Sequence, residues 1–323
     1  MKKEVIRLSS GREGRRYCAF PSIAEYNGRI LCAWKQGIGH ADSGDTAYLE
    51  MTPDGSVVLN GEIENTDGAI YQNTELITLP DGKVICWIDK QDSHNKRLGA
   101  VAYEYTGSGF RPLLGILTDT DGTKYGYVFD GMLWNGRYYL IAMTFPELDP
   151  EKNRKTVEIL SSDDCVSWKD ELCLDTVCDL PLNESSFAAL GDEMFVLCRS
   201  YRKEAAVIAL DKGMNVLSTA VYGLEDGICR IGRPKLFTAY GELYAIMRNH
   251  RTEDAAEELA LLKLNTHDLT IRKYTTLDNS SPEDGYYAEP FFNGSTFNII
   301  TYAKTGEHCS DILLMKYEWD ELS

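Results

Sequence analysis

Short apolar runs separated by tight polar turns recur along the whole chain. Each copy contains an apolar run, a turn with Gly or Asp, and a second apolar run that ends in a polar residue. The six copies begin at Pro21, Thr74, Phe129, Ser185, Arg233 and Ala288. Their turn residues, spaced 49 to 56 positions apart, are Gly28, Gly82, Gly136, Asp192, Gly241 and Gly294. Because Asn-Gly and Asp-Gly permit positive φ, each copy predicts a β-hairpin.

A third apolar stretch follows every hairpin after a loop: TAYLEM, GAVAYEY, TVEILS, AAVIAL, LALLKL and DILLMKY. Five of the six repeats then show a weaker fourth stretch, such as SVVLNGEI or NVLSTAVY. Four strands in roughly 50 residues are typical of a propeller blade. The best helix candidate, Glu253–Leu264, also fits a loop followed by the strand ALLKL. We therefore predict one all-β domain over residues 1–323, a six-bladed β-propeller with four antiparallel strands per blade.

The two ends of the chain predict how such a ring closes. The last repeat stops after its third strand, DILLMKY, and the isolated stretch Glu4–Leu8 (EVIRL) precedes the first hairpin. We expect EVIRL to supply the missing outer strand of the last blade, because closure removes exposed sheet edges. In this topology the leads into first strands and the loops between second and third strands lie on one face, the mouth.

Composition narrows the function. The chain of 323 residues carries a net charge of −17, which would repel nucleic acid or an anionic membrane over most of its surface. No run of about 18 apolar residues predicts a membrane helix, and the N-terminus lacks the apolar core of a secretory signal. Nine cysteines, an odd number without CxxC spacing, predict reduced thiols and a cytoplasmic location. A zinc site is not expected.

The turn Ser161–Trp168 (SSDDCVSW) supplies a family resemblance. It is similar to the Asp-box, S-x-D-x-G-x-x-W, with Cys165 in the glycine position. In such a turn the aspartate caps backbone amides and the tryptophan packs between blades. The Asp-box on a six-bladed propeller is typical of the sialidase (neuraminidase) superfamily, which this chain resembles.

The fourth and last repeats strengthen the resemblance. PLNESSFAALGDEMFVLCRSYR resembles the sialidase segment in which a glutamate opens strand 1 and an arginine closes strand 2, here Glu184 and Arg199. A hairpin places both of these ends on one face. The segment GYYAEP resembles the segment that carries the nucleophilic tyrosine of sialidases. Tyr287 matches by position, and Tyr286 is the alternative.

The first repeat implies an acid/base residue. Sialidases place an aspartate on the loop between strands 2 and 3, which here reads GHADSGD. The resemblance therefore implies that Asp42 serves as acid and base, with Asp45 as the alternative.

Sialidases also clamp the substrate carboxylate with three arginines, whose planar forks match a carboxylate. Arg199 is one, and Arg248 is the best match for the second, with Arg251 and Arg233 as competitors.

The third arginine is where the chain departs from the family. The sialidase FRIP-like motif reads AFPSI here, with Ala19 in the arginine position. Arg16 or Arg15 would have to reach in from the lead. The departure puts sialic acid itself in doubt and leaves a uronic or other acidic sugar compatible with two arginines. Glu307 lies where sialidases hold a glutamate that orients the first arginine.

Four of the five histidines fall in loops between second and third strands of four blades: His40, His94, His250 and His308. All four are expected on the mouth face, where they could bind a metal or a sugar hydroxyl. We assign no metal and no cofactor, and place His40 among the substrate-binding residues.

The resemblance implies retaining hydrolysis of an anionic carbohydrate. Tyr287 attacks the anomeric carbon, Glu184 takes its proton, and Asp42 protonates the leaving group before activating water. The carboxylate would be held by Arg199, Arg248 and Arg16. Two alternatives remain open: a non-catalytic sugar-binding propeller, and a polysaccharide lyase or another glycosidase on the same fold.

Overall fold

A computed structural model describes residues 3–63, 65, 68–150, 153–223, 228, 230–250, 257–281 and 283–322. The chain divides into two compact units. The first unit contains Met1–Leu117, Lys124–Val128 and Tyr287–Ser323, and the second contains Thr118–Thr123 and Phe129–Tyr286. The single domain expected over residues 1–323 therefore stays a prediction.

Three four-stranded sheets, each with its strands in sequence order, make up the second unit, except that Tyr125–Val128 at the start of the first sheet are assigned to the first unit. One sheet consists of β10 (Tyr125–Trp134), β11 (Arg137–Thr144), β12 (Val157–Ser162) and β13 (Lys169–Cys173). The next consists of β14 (Leu182–Leu190), β15 (Glu193–Ser200), β16 (Glu204–Leu210) and β17 (Val216–Gly223). The third consists of β18 (Gly232–Ala239), β19 (Glu242–His250), β20 (Glu257–Leu264) and β21 (Ile271–Asp278). A short helix, α1 (Leu174–Cys178), connects the first two.

The first unit holds a four-stranded sheet and an eight-stranded one. The smaller sheet consists of β6 (Ile70–Thr78), β7 (Val84–Gln91), β8 (Arg97–Tyr105) and β9 (Phe110–Ile116). One half of the larger sheet is β2 (Tyr17–Tyr26), β3 (Arg29–Gly37), β4 (Gly44–Met51) and β5 (Val57–Ile63). Its other half is β22 (Glu289–Asn293), β23 (Thr296–Gly306), β24 (Cys309–Glu318) and β1 (Lys3–Ser9). A 3-10 turn, Trp319–Glu321, follows β24.

The sequence predicted six separate sheets, whereas the described residues form five. The difference comes from one parallel bridge, Tyr17 to Ser310, which joins the two halves of the eight-stranded sheet. Apart from this bridge, the described strands form six groups of four. Strand β1 pairs antiparallel with β24, from Lys3 opposite Tyr317 to Ser9 opposite Ile312. The N-terminal stretch thus has the predicted partner, while closure of a ring through it stays a prediction.

Of the two interpretations of Glu253–Leu264, the described residues have the strand and not the helix. Residues 257–264 form strand β20, and residues 253–256 lie outside the described part of the chain. Nearly every β20 side chain is buried, and consecutive residues such as Leu261 and Leu262, which point to opposite faces of the sheet, are both fully covered. A strand covered on both faces reads as a continuous apolar run, so periodicity alone could not separate it from a helix.

The Asp-box-like turn differs from its sequence alignment by one residue. Asp164, rather than the aligned Asp163, accepts hydrogen bonds from the amides of Val166 and Ser167, both at 2.8 Å. These bonds lower the pKa of Asp164. Cys165 has a φ of 58°, the left-handed conformation that glycine normally takes. Trp168 is buried, as such a turn requires.

A β-bulge interrupts the first strand of at least four groups near its start. The pairing shifts between Ala19 and Ser22, Tyr71 and Thr74, Leu182 and Ser185, and Gly232 and Lys235. Bulges re-aim side chains and are common beside active sites. The residues displaced from regular pairing include Phe20, Gln72, Glu184 and Arg233, and all four reappear in the contacts described below.

Candidate functional site

The second unit brings Glu184 and Arg199 together as the hairpin predicted. Glu184 lies in the bulge of β14, Arg199 lies near the end of β15, and the Arg199 guanidinium donates to Glu184 Oε2. The same oxygen accepts the backbone N–H of Arg233 at 3.1 Å. Glu184 is only 5% exposed, so these two donors stabilise a carboxylate that burial would otherwise disfavour.

Arg233 occupies a strained backbone position at the bulge of β18. Its φ is 43°, and it precedes a proline, which further restricts its conformation. The side chain is buried, and its guanidinium carbon lies 5.8 Å from the centroid of the Phe129 ring. Strain of this kind persists where the surrounding structure fixes it and is common in binding sites.

Arg248 lies near the end of β19, opposite Gly232 on β18. Its guanidinium is 3.5 Å from Glu257 and 3.8 Å from Asp284, and it donates to the carbonyl of Gly285 at 3.5 Å. A Cβ on Gly232 would stand 3.0 Å from Arg248 Nε, so glycine permits this close approach. The competitor Arg251 lies outside the described residues.

Arg230 was missed by the sequence analysis. Its backbone N–H donates to Asn249 Oδ1 at 3.2 Å, and its guanidinium lies 3.3 Å from His250 Nε2. Burial, followed by the neighbouring cations Arg248 and Arg199, lowers the pKa of Arg230. The available signal was its place in the lead to β18, because leads into first strands are expected on the mouth face. We call Arg199, Arg230, Arg233 and Arg248 the arginine cluster.

The first unit surrounds Tyr287 with rings. The centroid of Phe20 lies 5.1 Å from that of Tyr287, 5.6 Å from that of Tyr302 and 5.0 Å from that of His40. Tyr17 donates to or accepts from His40 Nδ1 at 3.0 Å. Phe20, which follows Ala19 in the FRIP-like segment, has a φ of 59°. We call Tyr17, Phe20, His40, Tyr287 and Tyr302 the aromatic cluster.

The alternative nucleophile Tyr286 has a different environment from Tyr287. Tyr286 is fully buried, its phenol donates to Asp278 at 2.5 Å, and it accepts the N–H of Ser281 at 2.7 Å. Burial, together with the bond to Asp278, raises its pKa. A phenol held in this way is a poor nucleophile, because its anion is disfavoured. The geometry therefore favours Tyr287 over Tyr286.

The two aspartates of the first-repeat loop also differ. Asp45 is buried, pairs with Arg12 and Arg15, and accepts the N–H of Asn65 at 3.2 Å. Asp42 is exposed on the loop. The geometry thus favours Asp42 as the acid/base candidate. Arg15, the alternative to Arg16 as the third arginine, is held in the ion pair with Asp45.

Lys35, another residue missed by the sequence analysis, binds the backbone of the loop that carries Asp42. Its ammonium is fully buried and donates to the carbonyls of His40 and Asp42 at 2.8 and 2.9 Å. A third bond goes to Gln72 Oε1 at 2.6 Å. A lysine inside an apolar strand gives no sequence signal of this role, because the loop returns to it only in the folded chain.

Other predicted site residues lie apart from these contacts. Arg16 is exposed, and Glu307 is exposed with its carboxylate 3.8 Å from His308. Their substrate-binding roles stay predictions. In the ranges that the structure describes, no group of three or more His, Cys, Asp or Glu side chains could hold a metal ion. Within the same ranges, no helix is long and apolar enough to cross a membrane.

No protein-family profile and no curated protein matches the chain. A protein of unknown function from Dyadobacter fermentans DSM 18053 aligns with a TM-score of 0.72 and 14% identity, over 97% of this chain and 98% of that one. Trypanosoma rangeli sialidase in complex with 2,3-difluorosialic acid aligns with a TM-score of 0.69 and 10% identity, over 99% of this chain. The K499G mutant of NanB sialidase from Streptococcus pneumoniae aligns with a TM-score of 0.67 and 11% identity, over 98% of this chain and 70% of that one.

At these identities the likeness concerns the fold alone, and the chain spans 60% of the length of the Trypanosoma rangeli sialidase. The alignments cover nearly all of this chain, including the strands of both units. The protein therefore has an all-β propeller fold of the kind found in sialidases.

Proposed function

We propose that the protein is a sialidase-like glycoside hydrolase that acts on an anionic sugar, of the sialic or uronic type, with retention. One observation carries the proposal: Arg199 binds buried Glu184 within a cluster of four arginines, on a sialidase-like propeller fold. Guanidinium groups recognise carboxylates through paired hydrogen bonds. We further propose that the six groups of strands are six blades, with β1 closing the ring.

Each residue has a defined role in this proposal. Tyr287 Oη attacks the anomeric carbon and forms a glycosyl–tyrosine bond as the bond to the leaving oxygen breaks. Glu184 takes the phenol proton, and Asp42 gives a proton to the leaving oxygen. Asp42 then takes a proton from water, which attacks the anomeric carbon, while Glu184 returns its proton to Tyr287. The anionic group is held by Arg199 and Arg248.

A tyrosine suits this chemistry for an electrostatic reason. A sugar with a carboxylate beside its anomeric carbon repels a carboxylate nucleophile, whereas a phenol approaches it uncharged. The rings of the aromatic cluster keep the surroundings of Tyr287 largely apolar, which strengthens electrostatic interactions with the transition state.

A screen of aryl glycosides of acidic sugars, beginning with an α-sialoside, tests the proposal. We expect Tyr287→Phe to lower kcat by on the order of a thousandfold, because it removes the attacking oxygen. Tyr286→Phe is the matched control: it removes a buried hydrogen bond and should alter stability more than the chemical step. Equal turnover by wild type and Tyr287→Phe would exclude this nucleophile.

A non-catalytic sugar-binding propeller is the second candidate. The observation that favours it is Ala19 followed by Phe20 where sialidases carry an arginine, with Phe20 packed against rings rather than an anion. Calorimetric binding of an acidic sugar without product formation would support this function. A product with an unsaturated ring would instead indicate a lyase.

A further inference from the structure

The arginines of the arginine cluster, in the second unit, differ in whether a carboxylate lies beside them. Glu184 binds Arg199, and Glu257 lies 3.5 Å from Arg248. Arg230 contacts the imidazole of His250 instead. Among the described residues, no carboxylate oxygen lies within salt-bridge distance of the Arg230 guanidinium. The carboxylates of this region are therefore shared with other arginines, and Arg230 extends a region of positive charge.

The titration of these groups agrees with that charge pattern. After burial, the largest effects on the pKa of Arg230 are the cations Arg248 and Arg199, which outrank the opposing Glu257 and Glu184. Burial and then Arg230 also lower the pKa of His250. A neutral imidazole can accept the arginine N–H at Nε2. An added anion would offset the mutual repulsion of these cations.

The backbone of Arg230 is held in place. Asn249, which is fully buried, accepts the Arg230 N–H through Oδ1 and donates through Nδ2 to Glu258 Oε1 at 2.7 Å. Glu258 also accepts from Lys273 at 2.5 Å and from Thr276 at 2.8 Å. A chain of buried hydrogen bonds thus anchors the residue, as a preorganised binding group requires.

We propose that Arg230 is a specificity-determining residue, which binds the anionic group of the sugar together with Arg199 and Arg248. The third cation of the site then comes from the lead to β18 rather than from the first-repeat position that Ala19 occupies. This inference rests on the proposed function, because it takes the arginine cluster as the part of the protein that faces the sugar.

Two ligands that differ only in charge test the inference: the methyl α-glycoside of N-acetylneuraminic acid and its methyl ester, with methyl glucuronide and its ester as a second pair. Calorimetry gives the affinity ratio of acid to ester for each protein. For at least one pair, we expect Arg230→Gln to lower this ratio about tenfold, as for the loss of one charge-assisted hydrogen bond. Arg230→Lys, which keeps the charge without the fork, should give a smaller loss.

Arg272→Gln, an exposed arginine on β21, is the matched control and should leave the ratio unchanged. Thermal melting of Arg230→Gln checks that its fold is intact. An unchanged ratio in Arg230→Gln, with a lowered ratio in Arg199→Gln, would overturn the inference and leave the proposed function standing. A wild-type protein that prefers neither acid would overturn it also. If the wild type prefers an acid over its ester but hydrolyses no glycoside, the proposed hydrolase activity is contradicted. The inference about Arg230 then still depends on the acid-to-ester affinity ratio of Arg230→Gln.

Discussion

The arginine cluster and the aromatic cluster use the same backbone device for opposite chemistries. Arg233 in the second unit and Phe20 in the first unit both occupy the bulge of a first strand, both have positive φ, and both precede a proline. One contributes to a group of cations and the other to a group of rings. The repeated bulge therefore places one side chain before a proline at the start of each of these two strands. The type of residue at that position determines whether the region gains a positive charge or an aromatic ring.

The largest effect is expected from removing the ring at this position. Phe20→Ala should lower the free energy of unfolding by about 4 kcal/mol, because it leaves a cavity among buried rings. Phe20→Gly removes the same ring but accepts the positive φ, so it should be less destabilising by about 1 kcal/mol. Urea unfolding of both variants gives the two values. A Gly variant less stable than the Ala variant would mean that the backbone at Phe20 is not strained.

Breaking the ion pair of the other cluster should have the next largest effect. Arg199→Met leaves Glu184 buried with one partner fewer, which should cost about 3 kcal/mol of unfolding free energy. Adding Glu184→Gln should recover part of that loss, because the uncompensated charge is gone. Denaturant unfolding of the two single variants and the double variant forms the test. Strict additivity would show that the pair is not coupled.

A smaller loss of stability and affinity is expected from filling the space between Gly232 and the Arg248 side chain. Gly232→Ala places a methyl group 3.0 Å from Arg248 Nε, so the guanidinium must shift by a few tenths of an ångström. We expect an unfolding loss of about 1 kcal/mol and a weakened affinity for the acidic ligand. Gly115→Ala, where an added Cβ meets no atom within 4 Å, is the control for binding. Equal affinities in both variants would argue against a role for Arg248 in binding.

The smallest expected effect is the contribution of His250 to the pH dependence of the unfolding free energy. The pKa of His250 is lowered in the folded protein from its ordinary value of 6.5, mainly by burial and Arg230. Below pH 6.5 the unfolded chain takes up the proton first, so this residue makes stability fall as pH falls toward the folded pKa. His250→Gln should flatten this part of the profile of unfolding free energy against pH. A steeper profile in the variant would contradict the direction of the shift.

The sequence predicted the features that depend on local pattern. Hairpin turns such as Asn27-Gly28 and Asn135-Gly136 do have positive φ at both residues, and the hairpin ends bring Glu184 to Arg199. The pairing of β1 with β24 also followed from a missing strand at one end of the chain and a spare one at the other.

What the sequence missed depends on contacts between distant segments. The ammonium of Lys35 and the guanidinium of Arg230 acquire their surroundings only when loops fold back, so neither stands out in a pattern. The capping role of Asp164 rather than Asp163 depends on where the turn begins within two consecutive aspartates. The bulges have no simple sequence signature, although Phe20 and Arg233 each precede a proline that cannot donate to the strand ladder.

Trapping the covalent intermediate would show whether Tyr287 is the nucleophile. The protein would be incubated with an activated fluorosugar analogue of the acidic substrate that the glycoside screen identifies, digested, and mapped by mass spectrometry. We expect one glycosyl adduct, on Tyr287, and none in Tyr287→Phe. A label on a carboxylate residue, or rapid turnover of the substrate with no labelled tyrosine, would contradict it.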